Sequence, residues 1–358
     1  MNGAGPDGLV TIDQVIARAR QTLDPGSHTW AAAGAGQEVT LARNAAALNT
    51  LALIPHLGRD VTTVDTSVSF AGVTLAFPVV LAPIGALHLY DRDDALASAR
   101  AAVNASISAF CSILSTARWE EVAATSPGRH FFQLYVLGDR SWIDDVLANV
   151  ETMGFGGLCV TMDSAVIGRR DRSLEDGFIW RTPEEGTVNL SGRGWDAAYR
   201  AGFTWKDLEW MCTRTDLPVI VKGVMSPDDA MRAVDCGASA IYVSNHGGRM
   251  VDHALSSIEV LEEIVDILPD HVDVAIDSGF TRGAEVCKAL ALGAKAVGIG
   301  RLQCWALAVA GTSGLTSVLE ILAEEITRTM ANLGCGKVED IGADHVRWSL
   351  PAPPRQEW

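Results

Sequence analysis

After residue 75 the sequence alternates short apolar, β-branched runs with segments of helical period, and it does so eight times. The runs are Pro78–Ala82, Ser108–Ser112, Phe131–Val136, Leu158–Met162, Val219–Val221, Ala240–Ser244, Val272–Asp277 and Ala296–Gly300. Between them lie amphipathic stretches such as Asp93–Asn104, Arg140–Met153, Pro227–Cys236, Ser256–Leu268 and Gly283–Leu292. Ser226 ahead of Pro227 carries the signature of a helix N-cap with proline in the first turn. Gly154, Gly237 and Gly293 stand where a left-handed residue closes a helix. Eight such units fit an α/β fold, the (β/α)8 TIM barrel, in which parallel strands close on themselves inside a ring of helices. A doubly wound open sheet shares the alternation, because alternation alone does not show closure.

The chain then divides into a mostly helical cap segment over residues 1–75, the barrel over 76–335, and a tail over 336–358. The stretch Pro351–Trp358 of that tail is expected to be extended. The segment 171–204, after the fourth strand, is too long for a tight connection and is rich in Gly, Arg, Asp and Glu, so it reads as a lid-like insertion. With 358 residues, 48% hydrophobic and 20% charged, the chain is long and apolar enough to bury a large core. Its net charge of −16 opposes binding to nucleic acid or an anionic membrane through a general field. Any anionic ligand must therefore be held by a local cluster of Arg and Lys.

No run approaches the roughly 20 apolar residues of a membrane span. The N-terminal stretch Met1–Gly8 lacks a basic region followed by an apolar core, as a signal peptide would need. It matches G-x-G-x-x-G, but no strand precedes it, so it carries no nucleotide-binding argument and reads as a loose tail. The seven cysteines are scattered with no CxxC pair. They read as small core residues in a reducing cytoplasm, with no zinc or other metal site. The N-x-S sequons at Asn104 and Asn189 are then chance matches.

In a barrel, chemistry gathers where strands run into their following loops. The strand ends offer, in order, Ala82-Pro83-Ile84-Gly85; Ser112; Gln133 and Tyr135; Thr161 and Asp163, then Arg169 and Arg170; Lys222-Gly223; Ser244, His246 and Arg249; Asp277-Ser278-Gly279; and Gly300-Arg301. Converging on one mouth, this set holds a base (His246), a carboxylate able to pair with its imidazolium (Asp163), a cation (Lys222) and several guanidinium groups. The glycine turns and Arg301 supply what a phosphate needs. A base and an anion clamp at one strand end suit removal of a proton or hydride from a carboxylate-bearing substrate.

These residues carry a resemblance. Phe132-Gln133-Leu134-Tyr135-Val136, Thr161-Met162-Asp163 through Gly168-Arg169-Arg170, Pro218 through Lys222-Gly223-Val224, Ser244 through Arg249, and Asp277-Ser278-Gly279 through Gly300-Arg301 occur in the order found in the FMN-dependent 2-hydroxy-acid oxidase/dehydrogenase family. The chain resembles that family, which includes glycolate oxidase, lactate oxidase and mandelate dehydrogenase, from about residue 8 to 335. The resemblance implies a (β/α)8 barrel with FMN at its mouth. It implies that His246 is the base acting on the substrate's 2-hydroxyl or α-hydrogen, that Asp163 stabilises its protonated form, and that Arg249 and Arg170 bind the substrate carboxylate. Tyr135 would hydrogen-bond the substrate. Lys222 would sit where negative charge collects on the reduced flavin. Pro83, Ile84, Gly85, Ser112, Gln133, Thr161 and Ser244 would hold the ring, Asp277 the ribityl chain, and Gly279, Gly300 and Arg301 the phosphate. A homotetramer and a small-molecule 2-hydroxy acid partner are implied in the same way, with oxygen or another acceptor taking the electrons.

Four positions depart from the pattern, one of them, Ala165 in place of a usual Pro, with no consequence that the sequence predicts. Trp30 stands where the family offers a Tyr hydroxyl to the substrate carboxylate, and indole donates only through its N–H. Leu114 stands where glycolate oxidase-like members carry a bulky Trp, which leaves room for a larger substrate side chain. Thr281 replaces an Arg of the phosphate turn, with Arg301 as the main partner and Arg282 as a substitute. The leading expectation is FMN-dependent oxidation of an (S)-2-hydroxy acid with a bulky or aromatic, mandelate-like side chain. A tailoring oxidase acting on a peptide, amino acid or carrier-bound acid is the alternative, since a weakened carboxylate site suits a substrate with no free carboxylate. A non-catalytic flavin-binding scaffold is disfavoured by the presence together of His246, Asp163, Lys222 and Arg249.

Overall fold

A computed structural model of the chain describes residues 10–178, 189 and 196–350. It opens with three helices, α1 (Ile12–Thr22), α2 (Pro25–Ala32) and α3 (Val39–Thr50), followed by three short strands, β1 (Leu51–Leu53), β2 (Val68–Phe70) and β3 (Val73–Leu75). The barrel strands are β4 (Val79–Leu81), β5 (Ser108–Ser112), β6 (Phe131–Leu134), β7 (Gly157–Thr161), β8 (Val219–Val224), β9 (Ala240–Val243), β10 (Asp273–Ile276) and β11 (Ala296–Ile299). The helices between and after them are α4 (Asp94–Asn104), α5 (Trp119–Ala124), α6 (Arg140–Met153), α7 (Asp171–Glu175), α8 (Ala197–Gly202), α9 (Trp205–Cys212), α10 (Pro227–Asp235), α11 (Ser257–Ile267), α12 (Gly283–Ala291) and α13 (Arg301–Leu333). A last strand, β12 (Val346–Trp348), pairs antiparallel with β1.

The eight expected strands are all present, and the pairing of β11 with β4 closes them into a parallel barrel. The open-sheet alternative is thereby set aside. Local chemistry accounts for the element ends. The Ser226 side chain accepts from the N–H of Asp229 with Pro227 in the first turn of α10, and Asp139 accepts from the N–H of Trp142 to start α6. Gly154 ends α6 in the left-handed region, as expected. Phe110, Phe131 and Tyr242 fill the barrel interior, with ring centroids 4.9 and 5.6 Å apart for the pairs Phe110–Phe131 and Phe110–Tyr242. Burying each is worth about 1.5–3 kcal/mol. Gly298 has no room for a side chain, because a Cβ there would lie 1.8 Å from the Tyr242 hydroxyl.

The cap segment holds three helices and, beyond the mostly helical expectation, three short strands. Residues 68–75 form a hairpin at the strands' N-terminal end, where Phe70 packs edge-on against Phe131 and the Ala71 N–H donates to Asp273. The helical part, by contrast, lies over the opposite end, where the chemistry is. The expected tail also begins too early: residues up to 348 are tied to β1, because β1 and β12 complete each other's backbone hydrogen bonds. The stretch Pro351–Trp358, the N-terminal G-x-G-x-x-G and part of the lid-like insertion (179–188 and 190–195) lie outside the described residues.

One expectation needs correction. Helix α13 is long and apolar enough to cross a membrane by length and composition. Its apolar face is instead accounted for by packing: Leu302, Leu307, Leu315, Val318, Leu319, Leu322 and Ile326 are buried, and the helix lies along α1, α4 and α12. It kinks at Ala310 and Gly311, whose backbone angles leave the helical region.

Candidate active site

The C-terminal ends of the strands open into a cavity of about 360 Å³, within the range of small-molecule sites. Its lining includes Trp30, Pro83, Ile84, Gly85, Leu114, Tyr135, Arg170, Lys222, His246, Arg249, Asp277, Gly279, Gly300 and Arg301. Strand topology explains the gathering: each of these but Trp30 stands at or just beyond the end of a barrel strand, and Trp30 comes over the mouth on α2.

His246 has a left-handed backbone, φ 58°, at a cost of about 1–2 kcal/mol. Its N–H donates to Ser244 Oγ at 3.0 Å, and its Nδ1 lies 3.0 and 3.1 Å from the two oxygens of Asp163. Nε2 faces the Tyr135 hydroxyl at 3.4 Å. Burial alone would raise the Asp163 carboxyl, but His246 beside it holds it below the ordinary carboxylate value. Burial, and then the Asp163 charge, push the Tyr135 hydroxyl up, so it stays protonated and can donate. Asp163 approaches closely because Gly223, with φ 103° at the irregularity in β8, carries no Cβ; one there would lie 2.5 Å from the Asp163 Cβ.

Lys222 anchors a second network. Its Nζ donates to Ser244 Oγ at 2.6 Å and lies 3.0 Å from Asp277 Oδ2, above the Tyr242 ring. Ser244 and Ser278 both donate to Asp277 Oδ1. Burial would lower the Lys222 ammonium, yet the Asp277 and Asp163 charges raise it above its usual value, so a fixed cation faces the cavity.

Arg170 and Arg249 stack against Trp30, with their Cζ atoms 4.3 and 5.0 Å from its ring. Arg249 Nη1 donates to the carbonyls of Trp30, Ala31 and Ala33. Nε and Nη1 of Arg170 are buried without a hydrogen-bond partner. Burial and then the neighbouring Arg249 depress Arg170 to about 9, and burial and then Arg249 depress Arg301 to about 10. Crowded buried guanidiniums with idle donors are relieved by bound anions.

Ser112, Gln133 and Thr161 are hydrogen-bonded to one another. They form a chain across β5, β6 and β7, Ser112 donating to Gln133 Oε1 at 2.8 Å and Gln133 Nε2 to Thr161 Oγ1 at 3.0 Å. All three are buried, on or beside the strands that lead to the cavity-lining Tyr135 and Lys222. Arg282 is not in the site. Its guanidinium donates to Glu325 at 2.9 Å and also faces Asp13, so two carboxylates hold it outside the cavity lining. Thr281 does line the cavity. Ser164, Arg200, Tyr90, Met250 and Cys304 also line it, although sequence reasoning did not single them out. Only Ser164, one residue past Asp163, was within reach of strand-end counting.

The arrangement fits FMN. Gly279, Thr281 and Gly300 form one end, at the start of α13 and beside Arg301, and a Cβ at Gly300 would meet only open space. A helix N-terminus with a guanidinium suits a phosphate. Pro83, Ile84 and Gly85 offer an apolar, thin wall to a flat ring, with Lys222 as the cation beside it. Away from the cavity, His56, Asp344 and His345 bring metal-ligating atoms together. Their nitrogens are already engaged, however: His56 Nδ1 lies 2.9 Å from Arg59, and His345 Nδ1 accepts from the Gly342 N–H.

A family model described as FMN-dependent dehydrogenase matches residues 19–348. L-lactate oxidase from Nostoc sp. is 36% identical over 358 residues, covering 94% of this chain and 97% of that protein. Glycolate oxidase from Spinacia oleracea is 34% identical over 360 residues, covering 96% and 98%. Among solved structures, mandelate oxidase with (S)-4-hydroxymandelic acid superposes with a TM-score of 0.86 at 36% identity, covering 95% of this chain and 98% of that one.

Proposed function

The chain belongs to the FMN-dependent dehydrogenase family, as an FMN-dependent 2-hydroxy-acid oxidase, and from that premise we propose that its substrate is an (S)-2-hydroxy acid with a bulky or aromatic, mandelate-like side chain. The product is the 2-oxo acid. FMN supplies the two-electron acceptor, and oxygen is the proposed reoxidant.

The residues divide the work. His246 takes a proton from the substrate's 2-hydroxyl or α-carbon at Nε2, since Nδ1 is held by Asp163. Asp163 then stabilises the imidazolium. Arg170 and Arg249 bind the carboxylate, Arg170 through donors that have no other partner. Tyr135, 3.4 Å from His246 Nε2, donates to the substrate oxygen that the two groups share. Lys222 offsets negative charge beside the ring.

The observation that carries the side-chain reading is Leu114, which lines the cavity and packs directly on Gly85 with no larger ring to fill the space. The likeness to mandelate oxidase with (S)-4-hydroxymandelic acid supports the same reading. The test is the anaerobic absorbance spectrum of the FMN-loaded protein on addition of (S)-mandelate, 4-hydroxymandelate, lactate and glycolate in turn. Bleaching of the oxidised bands by the aromatic acids at least tenfold faster than by lactate is expected; preferential bleaching by glycolate overturns the reading.

A second reading, a tailoring oxidase for a peptide, amino acid or carrier-bound acid, draws on Arg249. Its Nη1 is committed to three backbone carbonyls around Trp30, which leaves the clamp weaker for a free carboxylate. A bound flavin that none of the four acids bleaches would favour it. We also propose a cytoplasmic location and a homotetramer. All seven cysteines are free, which supports a reducing compartment; light scattering tests the tetramer.

A further inference from the structure

In a chain with 44 acidic and 28 basic residues, guanidiniums readily find carboxylates. Arg43 pairs with Glu259, Arg140 with Asp207, Arg214 with Asp144 and Arg282 with Glu325. Four arginines line the cavity, Arg170, Arg200, Arg249 and Arg301, and none has an acidic partner among the described residues. The reaction proposed above accounts for three of them. Arg301 stands at the phosphate end, and Arg170 and Arg249 flank Trp30 at the carboxylate position.

Arg200 is left over. It comes from α8, near the end of the 171–204 segment, and its Cζ lies 5.8 Å from the ring of Tyr135 rather than against Trp30. Its Nε is buried and has no hydrogen-bond partner. A guanidinium with a buried, idle donor is costly unless a ligand supplies the acceptor. The reacting end of the substrate already meets His246, Tyr135 and two guanidiniums, so the acceptor for Arg200 belongs to the side-chain end.

We propose that Arg200 is a specificity-determining residue that binds a second acidic group, a carboxylate, at the far end of the substrate's side chain. The preferred substrate class is then a 2-hydroxy acid with a remote carboxylate. This rests on the 2-hydroxy-acid reading of the site and narrows it.

The test compares 4-carboxymandelate with 4-methylmandelate, of similar shape but uncharged at the far end, by anaerobic stopped-flow reduction of the FMN-loaded enzyme. The wild type is expected to favour the carboxylated acid by about ten- to a hundredfold, the range of one charge-assisted hydrogen bond. Arg200→Met is expected to erase that ratio, and Arg200→Lys to keep part of it. Rising salt is expected to narrow the wild-type ratio, which tests the idea even if the Met variant fails to fold. An unchanged ratio in Arg200→Met, or an equal loss on both acids, overturns the inference and leaves the 2-hydroxy-acid reading standing. If neither acid reduces the flavin but lactate does, the aromatic reading has failed on its own. The pair 2-hydroxyglutarate and 2-hydroxyvalerate then puts the same question to Arg200, and equal rates on that pair overturn it.

Discussion

Asp163 places both carboxylate oxygens against Nδ1 of His246, at 3.0 and 3.1 Å, from a strand end two positions away around the barrel. The contact fixes the imidazole with its Nδ1 proton toward Asp163 and its Nε2 lone pair toward Tyr135. Asp163→Asn keeps the shape but removes the charge that stabilises the imidazolium. Flavin reduction in that variant is expected to slow on the order of 10²–10⁴-fold. Binding of a 2-oxo acid, followed by perturbation of the flavin spectrum, is expected to change far less. Equal losses in both would assign Asp163 to folding rather than to the chemistry.

Lys222 and Asp277 are a buried ion pair bridged by Ser244. Removing one partner leaves the other charge uncompensated, at about 3–5 kcal/mol. Lys222→Met is therefore expected to lower the thermal midpoint. It is also expected to shift the midpoint potential of bound FMN to more negative values, because the cation beside the reduced ring is gone. Thermal denaturation and potentiometric titration check the two effects separately.

Leu114→Trp fills the space on which the bulky-substrate reading depends. The ratio of kcat/KM for mandelate to that for glycolate is expected to fall at least about tenfold, the scale of losing one well-packed apolar contact of 1–3 kcal/mol. Steady-state assays on both acids decide the matter, and a ratio that stays constant places the side chain elsewhere.

Arg301 and Arg282 adjoin the same end of the molecule but face different partners. Arg301→Ala is expected to weaken FMN binding by about ten- to a hundredfold, measured by fluorescence titration of the apoprotein. Arg282→Ala, which loses the partly exposed pairs with Glu325 and Asp13, is expected to cost up to about 1 kcal/mol of stability and to leave FMN affinity within twofold.

His130 is buried with both ring nitrogens placed for the neutral form. Nδ1 accepts from the Ala109 N–H, and Nε2 meets Thr125 Oγ1, whose own proton goes to the Val122 carbonyl. Burial, and then the Arg129 charge, depress it from 6.5 to about 4. Between those values the unfolded chain binds the extra proton and the folded one does not, so stability falls as pH drops from 6.5 toward 4 and is constant in this respect above 6.5. The full loss is about 3 kcal/mol. Urea denaturation at several pH values is expected to show this slope in the wild type and its loss in His130→Gln.

Much of this was legible in the sequence because the barrel strands are buried on both sides and read as continuous apolar runs. The same strands deliver Tyr135, Asp163, Lys222, His246 and Asp277 to one end, so counting residues past each run named groups that meet there. Closure was not legible, since no residue in β4 or β11 announces its partner. The hairpin at residues 68–75 and the β1–β12 pair escaped because three-residue strands have no period to detect. Arg282 was misplaced for a related reason: its partner, Glu325, is 43 positions away on α13. Arg200 lay in a segment that spacing could not position, and only its place over Tyr135 connects it to the cavity.

Arg301 donates to the carbonyl of Ala31, 270 residues earlier. On a ribosome, α2 emerges long before its companions exist: its carbonyls wait for Arg249 until six barrel strands have been made, and for Arg301 until all eight have. The mouth of the chamber is thus sealed last, and a nascent chain that stops short of Arg301 lacks one of the guanidiniums that tie α2 over the barrel.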